Sequence, residues 1–225
     1  MVARLIKQSV IWFAIMMGLL FIPAGTLDWP AGWVFLAVFG LTSFVMTRWM
    51  LRHNPGLLAE RMAPLIQREQ KTWDKVLMLV LMLLWCTWFV VMGLDAVRFG
   101  WSHVPLWLQM LGVLAILVSM YIIFLTVQAN TFAAPVVKIQ RERGHSVVSH
   151  GPYAVVRHPM YAGALLLIVG TPLLLGSWLG LAMLPLIVAL LGTRAVMEER
   201  TLARELDGYA AYAARVQYRL IPRVW

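Results

Sequence analysis

Four apolar runs, Val10–Leu27, Ala31–Met50, Val76–Leu94 and Pro105–Val127, each come close to the length a helix needs to cross a bilayer. At 1.5 Å of rise per residue, about 20 residues cover a hydrocarbon core about 30 Å thick. No other feature restricts the fold as strongly. In lipid every backbone N–H and C=O must be bonded within the structure, and a continuous run of this length does that as a helix. Composition agrees: 61% of the 225 residues are hydrophobic, 13% are charged, and the mean hydropathy is +0.78. A water-soluble domain of this size cannot hide so much apolar surface. The expected fold is all-α, a polytopic transmembrane helical bundle.

Asp28-Trp29-Pro30 separates the first two runs, which therefore form a tight hairpin. Trp12, Trp29, Trp33, Trp49, Trp73, Trp101 and Trp107 fall near span ends, where an amphipathic indole favours the interface. The first run follows Arg4 and Lys7 as in a signal peptide, but it lacks a small-residue cleavage site and leads straight into a second span. It reads as an anchor.

A fifth apolar stretch, Met160–Thr193, is too long for one straight span and is interrupted by Thr171-Pro172 and Gly176-Ser177. With Arg4 and Lys7 inside, four spans return the chain to the cytosol after Val127. A single fifth span would carry Arg200, Arg204, Arg215, Arg219 and Arg223 outside, against the positive-inside rule. A helical hairpin over 160–193 keeps them in and leaves Arg98 as the one basic residue of an external loop. The expected architecture is thus a four-span region, 1–127, and a C-terminal region, 128–225, which contains the hairpin and a cytosolic cap. Both termini are expected in the cytosol, at the inner membrane if the source is bacterial.

The formal charge of +9 is compatible with nucleic acid, but the Lys and Arg residues lie in loops between apolar runs and not on one amphipathic face. No nucleic-acid partner is expected. Cys86 is the single cysteine and lies inside an apolar run, so neither a disulfide framework nor a thiolate cage is available. In the loop 48–75, Asn54-Pro55-Gly56 reads as a turn leading into a short amphipathic helix at the headgroups. The stretch Met197–Val216 reads as a helix whose first turns carry Glu198 and Glu199.

Polar residues concentrate in Lys138–Tyr161 and Arg194–Arg204, on either side of the hairpin. Its return would bring them together at one membrane face. Taken singly, Arg157 reads as a snorkelling side chain and Glu198 and Glu199 as a helix start that complements the dipole. Together, an Arg and carboxylates at the bilayer face are costly without a ligand. A metal held by His145, His150, His158 and Glu198 or Glu199 is the less favoured reading, since none of the five histidines makes a close helical pair, and no metal is expected.

His145-x-Val147-Val148-x-x-Gly151-Pro152-Tyr153, then Arg157-His158-Pro159-x-Tyr161-x-Gly163, then Arg194-x-x-x-Glu198-Glu199 resembles the isoprenylcysteine carboxyl methyltransferase family. More broadly it is similar to the membrane methyltransferases that include phospholipid N-methyltransferases. The turn Asp28-Trp29-Pro30-x-Gly32-Trp33 and the segment Asn54-Pro55-Gly56-Leu57-Leu58-Ala59-Glu60-Arg61 resemble the bacterial branch. The resemblance is strong over Lys138–Pro222. It implies S-adenosylmethionine as cofactor, contacted by Lys138, His145, Ser146, Val147, Val148, Tyr153, His158, Pro159, Met160, Tyr161 and Glu198. It also implies that Arg194 orients a lipophilic or prenylated acceptor, drawn from membrane lipid. A carboxylate acceptor is ionised already and needs no base; for an amine, Glu199 or His150 would take the proton.

Sterol reductases that use NADPH share a similar Arg-His-Pro-x-Tyr-x-Gly element and a late Tyr-Arg-x-x-Pro, matched here by Tyr218-Arg219-Leu220-Ile221-Pro222. Their pattern continues with Asp after the Gly and Arg-Asp-Glu on the last helix, whereas this chain has Ala164 and Met197-Glu198-Glu199. That departure favours methyl transfer over hydride transfer. A non-enzymatic scaffold or transport subunit is a third reading, opposed by span centres nearly free of charge.

Overall fold

The structure, a computed structural model, describes residues 2–225. Regular structure among the described residues is helical: α1 (Val2–Ala24), α2 (Pro30–His53), α3 (Pro55–Arg61), α4 (Thr72–Gly93), α5 (Leu106–Ala129), α6 (Pro159–Leu175), α7 (Trp178–Ala182), α8 (Leu184–Glu205) and α9 (Tyr209–Arg215). A π-turn, Leu94–Arg98, prolongs α4. Five stretches, Val2–Ala24, Pro30–His53, Thr72–Arg98, Leu106–Ala129 and Trp178–Glu205, are long and apolar enough to cross a membrane, and α6 adds a shorter apolar helix of 17 residues. Val10, Ile22, Leu41, Phe44, Leu83 and Leu114 are exposed along them. Faces this apolar belong in lipid. The chain is a multi-pass integral membrane protein.

The chain forms two compact units. The first comprises Met1–Val45, Leu81–Val118 and Leu166–Ile187. Gly25, at φ +74°, ends α1, and Pro30 opens α2 at a position where its missing N–H costs nothing. Trp88 is buried and its Nε1 donates to the Gly180 carbonyl at 2.8 Å. Helices α5 and α6 meet backbone to backbone, since a Cβ at Gly112 would lie 2.6 Å from Leu174 N and 2.7 Å from Gly170 O. Small residues permit such an approach between membrane helices. The buried Asp95 accepts from Ser102 Oγ at 2.6 Å and from Leu179 N at 3.2 Å, fixing the start of α7. Of the two breaks expected in 160–193, one forms. Helix α6 continues through Pro172 and ends at Gly176, which takes φ +83°, before Ser177 caps α7 by accepting from Gly180 N at 2.9 Å. Proline forfeits one helical bond, whereas Gly176 can adopt the left-handed conformation that ends a helix.

The second unit comprises Met46–Val80, Ser119–Leu165 and Val188–Trp225. Asn54 caps α3 by accepting from Leu57 N at 3.1 Å. Leu57 and Leu58 are buried, so the apolar face of α3 packs into this unit. Ser119 Oγ donates to the Gly163 carbonyl at 2.7 Å, and a Cβ at Gly163 would lie 2.9 Å from Ile123 Cγ1, so α5 and α6 are close here too. The helix expected to start at Met197 is instead the second half of α8, which runs unbroken from Leu184. The turn comes at Gly208, with φ +81°, and α9 follows. Glu198 and Glu199 therefore do not complement a helix start.

Candidate active site

Tyr161, in the first turn of α6, donates its hydroxyl to Glu198 Oε2 in α8 at 2.6 Å. The chain thus returns after α6 and brings the two polar segments together within the second unit, as the hairpin reading requires. They border an open-mouthed cavity, walled also by the irregular segment 130–138 and by α9. Lys138, His145, Ser146, Val147, Val148, Tyr153, His158, Met160, Tyr161, Arg194 and Glu198 all line it. Pro159 and Glu199 are not among the lining residues.

Each lining charge has a defined partner. Lys138 Nζ pairs with Glu60 of α3, 2.9 Å from its Oε2, which anchors the lysine beside the cavity. Arg194 is buried; its Nε donates to Asp74 Oδ1 at 2.9 Å and its Nη2 to the Pro135 carbonyl at 2.6 Å. The guanidinium lies 5.7 Å from the centre of the Tyr161 ring. Asp74 is fully buried at the start of α4, and its other oxygen accepts from Gln70 Nε2 at 2.8 Å and Val137 N at 2.9 Å. Lys138 and Arg194 are thus each balanced by a carboxylate of their own. Glu198, held by the Tyr161 hydroxyl, belongs to no ion pair among the described residues.

Glu199 faces elsewhere. Arg157 Nε donates to it at 2.7 Å, Arg219 Nε at 2.9 Å, and His158 Nε2 lies 3.1 Å away. Arg157 also donates to the carbonyls of Val216 at 2.9 Å and Gln217 at 3.1 Å. Instead of snorkelling, Arg157 clasps the C-terminal segment to the start of α6, and Arg219 of the late Tyr-Arg-x-x-Pro element serves the same clasp. Acting as a base is a poor use of a carboxylate held by two arginines and His158. His150 is exposed and is not among the lining residues either.

His145 stacks on Phe132 with ring centres 4.5 Å apart, and its Nδ1 accepts from Gln140 N at 3.3 Å. Burial, and then the nearby Arg143, hold its pKa below the ordinary 6.5, so it presents a neutral ring. Burial keeps the Tyr153 hydroxyl well above the usual tyrosine value; it accepts from Asn130 Nδ2 at 2.9 Å. Burial likewise pushes Tyr212 up to about 12. The sequence reading missed Asp74, Glu60 and the α9 wall of Tyr209 and Tyr212. The tyrosines carried a signal, since residues three apart share a helix face.

Residues 107–207 match the family model described as phospholipid methyltransferase. Over 92 residues the chain is 33% identical to the Protein-S-isoprenylcysteine O-methyltransferase of Schizosaccharomyces pombe. That stretch covers 40% of this chain and 39% of the yeast protein, so the match spans about two fifths of the relative's length.

Proposed function

We propose that this chain, which belongs to the integral membrane methyltransferases represented by the phospholipid and isoprenylcysteine enzymes, methylates a lipophilic acceptor from S-adenosylmethionine. The observation that carries the reading is the Tyr161–Glu198 hydrogen bond, which joins both halves of the motif over one cavity. The donor set suits a sulfonium cofactor. Glu198 is a carboxylate with no salt bridge among the described residues, and Tyr153, Tyr161 and the neutral His145 add aromatic faces that attract positive charge. When bound, S-adenosylmethionine supplies an electrophilic methyl group.

The residues divide the remaining work. Glu198 attracts the cationic centre, oriented by Tyr161. Val147, Val148 and Met160 exclude water, which strengthens the electrostatic interactions inside. Arg194 is fixed through Nε and Nη2, while its Nη1 makes no hydrogen bond among the described residues. That amino group is the one free to hold an acceptor carboxylate or a lipid phosphate in position. A carboxylate acceptor needs no base, in keeping with the engagement of Glu199 elsewhere. The basic residues of the C-terminal region support a cytosolic site, with the acceptor arriving from the lipid.

Calorimetry with S-adenosylhomocysteine on detergent-purified protein tests the reading. Binding is expected for the native chain, and in Glu198→Ala and Tyr161→Ala the affinity for S-adenosylmethionine, whose sulfonium carries the charge, should fall more than that for neutral S-adenosylhomocysteine. Binding of NADPH in place of S-adenosylhomocysteine would overturn the proposal in favour of a reductase. Incubating lipid extracts with labelled S-adenosylmethionine then identifies the acceptor, as an ester if it is a carboxylate and as a methylamine if it is a headgroup.

A further inference from the structure

Three tyrosines, Tyr153, Tyr209 and Tyr212, stand on one wall of the cavity. Two have satisfied hydroxyls: Tyr212 donates to the Tyr153 carbonyl at 2.8 Å, and Tyr153 accepts from Asn130 Nδ2. The third does not. Tyr209 is 5% exposed, and its hydroxyl is sealed from solvent without a hydrogen-bond partner among the described residues. A buried polar group is nearly always paired, so an orphan beside a cavity points to a partner that arrives with a ligand.

The surroundings say which ligand group that is. Tyr209 packs in one cluster with Leu206, Tyr212 and Val216, against which Val147, Tyr153 and Leu202 also rest. A charged amino-acid end is unsuited to so apolar a wall, and a prenyl or acyl chain has nothing to offer the hydroxyl. A flat aromatic heterocycle with ring nitrogens satisfies both demands. Resting on the methyltransferase reading, we propose that Tyr209 binds the purine ring of the cofactor, its hydroxyl hydrogen-bonding the ring's polar edge while Leu202 and Leu206 cover a face. Burial holds the Tyr209 hydroxyl well above the ordinary tyrosine value, so it keeps its proton to donate.

Tyr209→Phe tests this with two readouts, ligand affinity by calorimetry and the unfolding midpoint of the ligand-free protein. S-adenosylhomocysteine is expected to bind about fivefold to tenfold more weakly, the worth of one hydrogen bond. Adenosine, measured by competition, should weaken by the same factor. The ligand-free midpoint should not fall, because the phenylalanine removes an unpaired group. Tyr212→Phe should lower that midpoint, since its hydroxyl is used within the protein. Unchanged affinity for S-adenosylhomocysteine in Tyr209→Phe, a loss not shared by adenosine, or a fall in the ligand-free midpoint each overturns the assignment. If the native chain binds no S-adenosylhomocysteine, the methyltransferase reading itself fails, and that outcome is seen before any variant is made.

Discussion

Replacing Asp74 with asparagine isolates the support beneath Arg194. The side chain keeps its shape and one oxygen, which still accepts from Gln70 and Val137. The amide nitrogen then replaces the oxygen that accepted from Arg194 Nε at 2.9 Å, setting donor against donor. Asp74 is 0% and the Arg194 side chain 9% exposed, so solvent screens the stranded guanidinium little. Removing one partner of a buried pair costs about 3–5 kcal/mol. At about 2–4 °C per kcal/mol, the midpoint falls by roughly 6–20 °C. Circular dichroism of the detergent-purified protein during heating measures this, and added salt should not restore the loss. In Asp74→Asn/Arg194→Gln both charges are gone, and most of the stability should return while acceptor turnover stays lost. A drop worth less than about 1 kcal/mol in the single variant, the scale of an exposed pair, would refute the reasoning. So would a double variant no more stable than the single.

Glu199→Gln should destabilise the ligand-free protein by about 3–5 kcal/mol, because it strands Arg157 in a buried clasp. Glu198→Gln should leave the unfolding midpoint nearly unchanged and weaken S-adenosylmethionine binding more than that of the neutral S-adenosylhomocysteine; the reverse pattern would exchange the two roles. The folded His145 has a lowered pKa, so below the ordinary 6.5 the unfolded chain binds the extra proton first. Its contribution is complete above about pH 6.5 and declines as the pH falls below that value. Midpoints of the native chain and His145→Gln, recorded across that range, should differ in slope below it and run parallel above. Gly112→Ala, whose Cβ would meet backbone atoms of α6 at 2.6 and 2.7 Å, should cost about 1–3 kcal/mol. Gly40→Ala, with open space around it, should be neutral or stabilising in the same thermal assay.

The membrane helices were legible because span length is a one-dimensional property. The runs at Ala31–Met50 and Pro105–Val127 match α2 and α5 to within about three residues at each end. The placement of α6 against α8 followed from charge asymmetry, which is also summed along the chain. What escaped depends on partners distant in sequence. Asp74 resembles any acidic residue in a first helical turn, and its contact with Arg194 spans 120 positions. Glu199 looks equivalent to Glu198, yet adjacent positions on a helix point about 100° apart. One faces the cavity and the other the clasp. The limits of α6 and α8 were misjudged where a local rule is permissive, at Pro172 inside a helix and at Met197, where no breaker exists.

The clasp has a consequence for how proteins of this design diversify. One carboxylate, Glu199, joins the two residues before α6 and the segment after α9 through Arg157, His158 and Arg219. Losing the acid strands Arg157 and Arg219 at once, so it cannot be exchanged in a single mutational step without disturbing the rest. These positions are expected to be inherited as a group. Lineages that acquire a new acceptor are then expected to change elsewhere, on apolar wall residues whose replacement alters only shape. In this sense the ion cluster channels variation, holding one wall of the cavity constant while the opposite wall is free to explore new substrates.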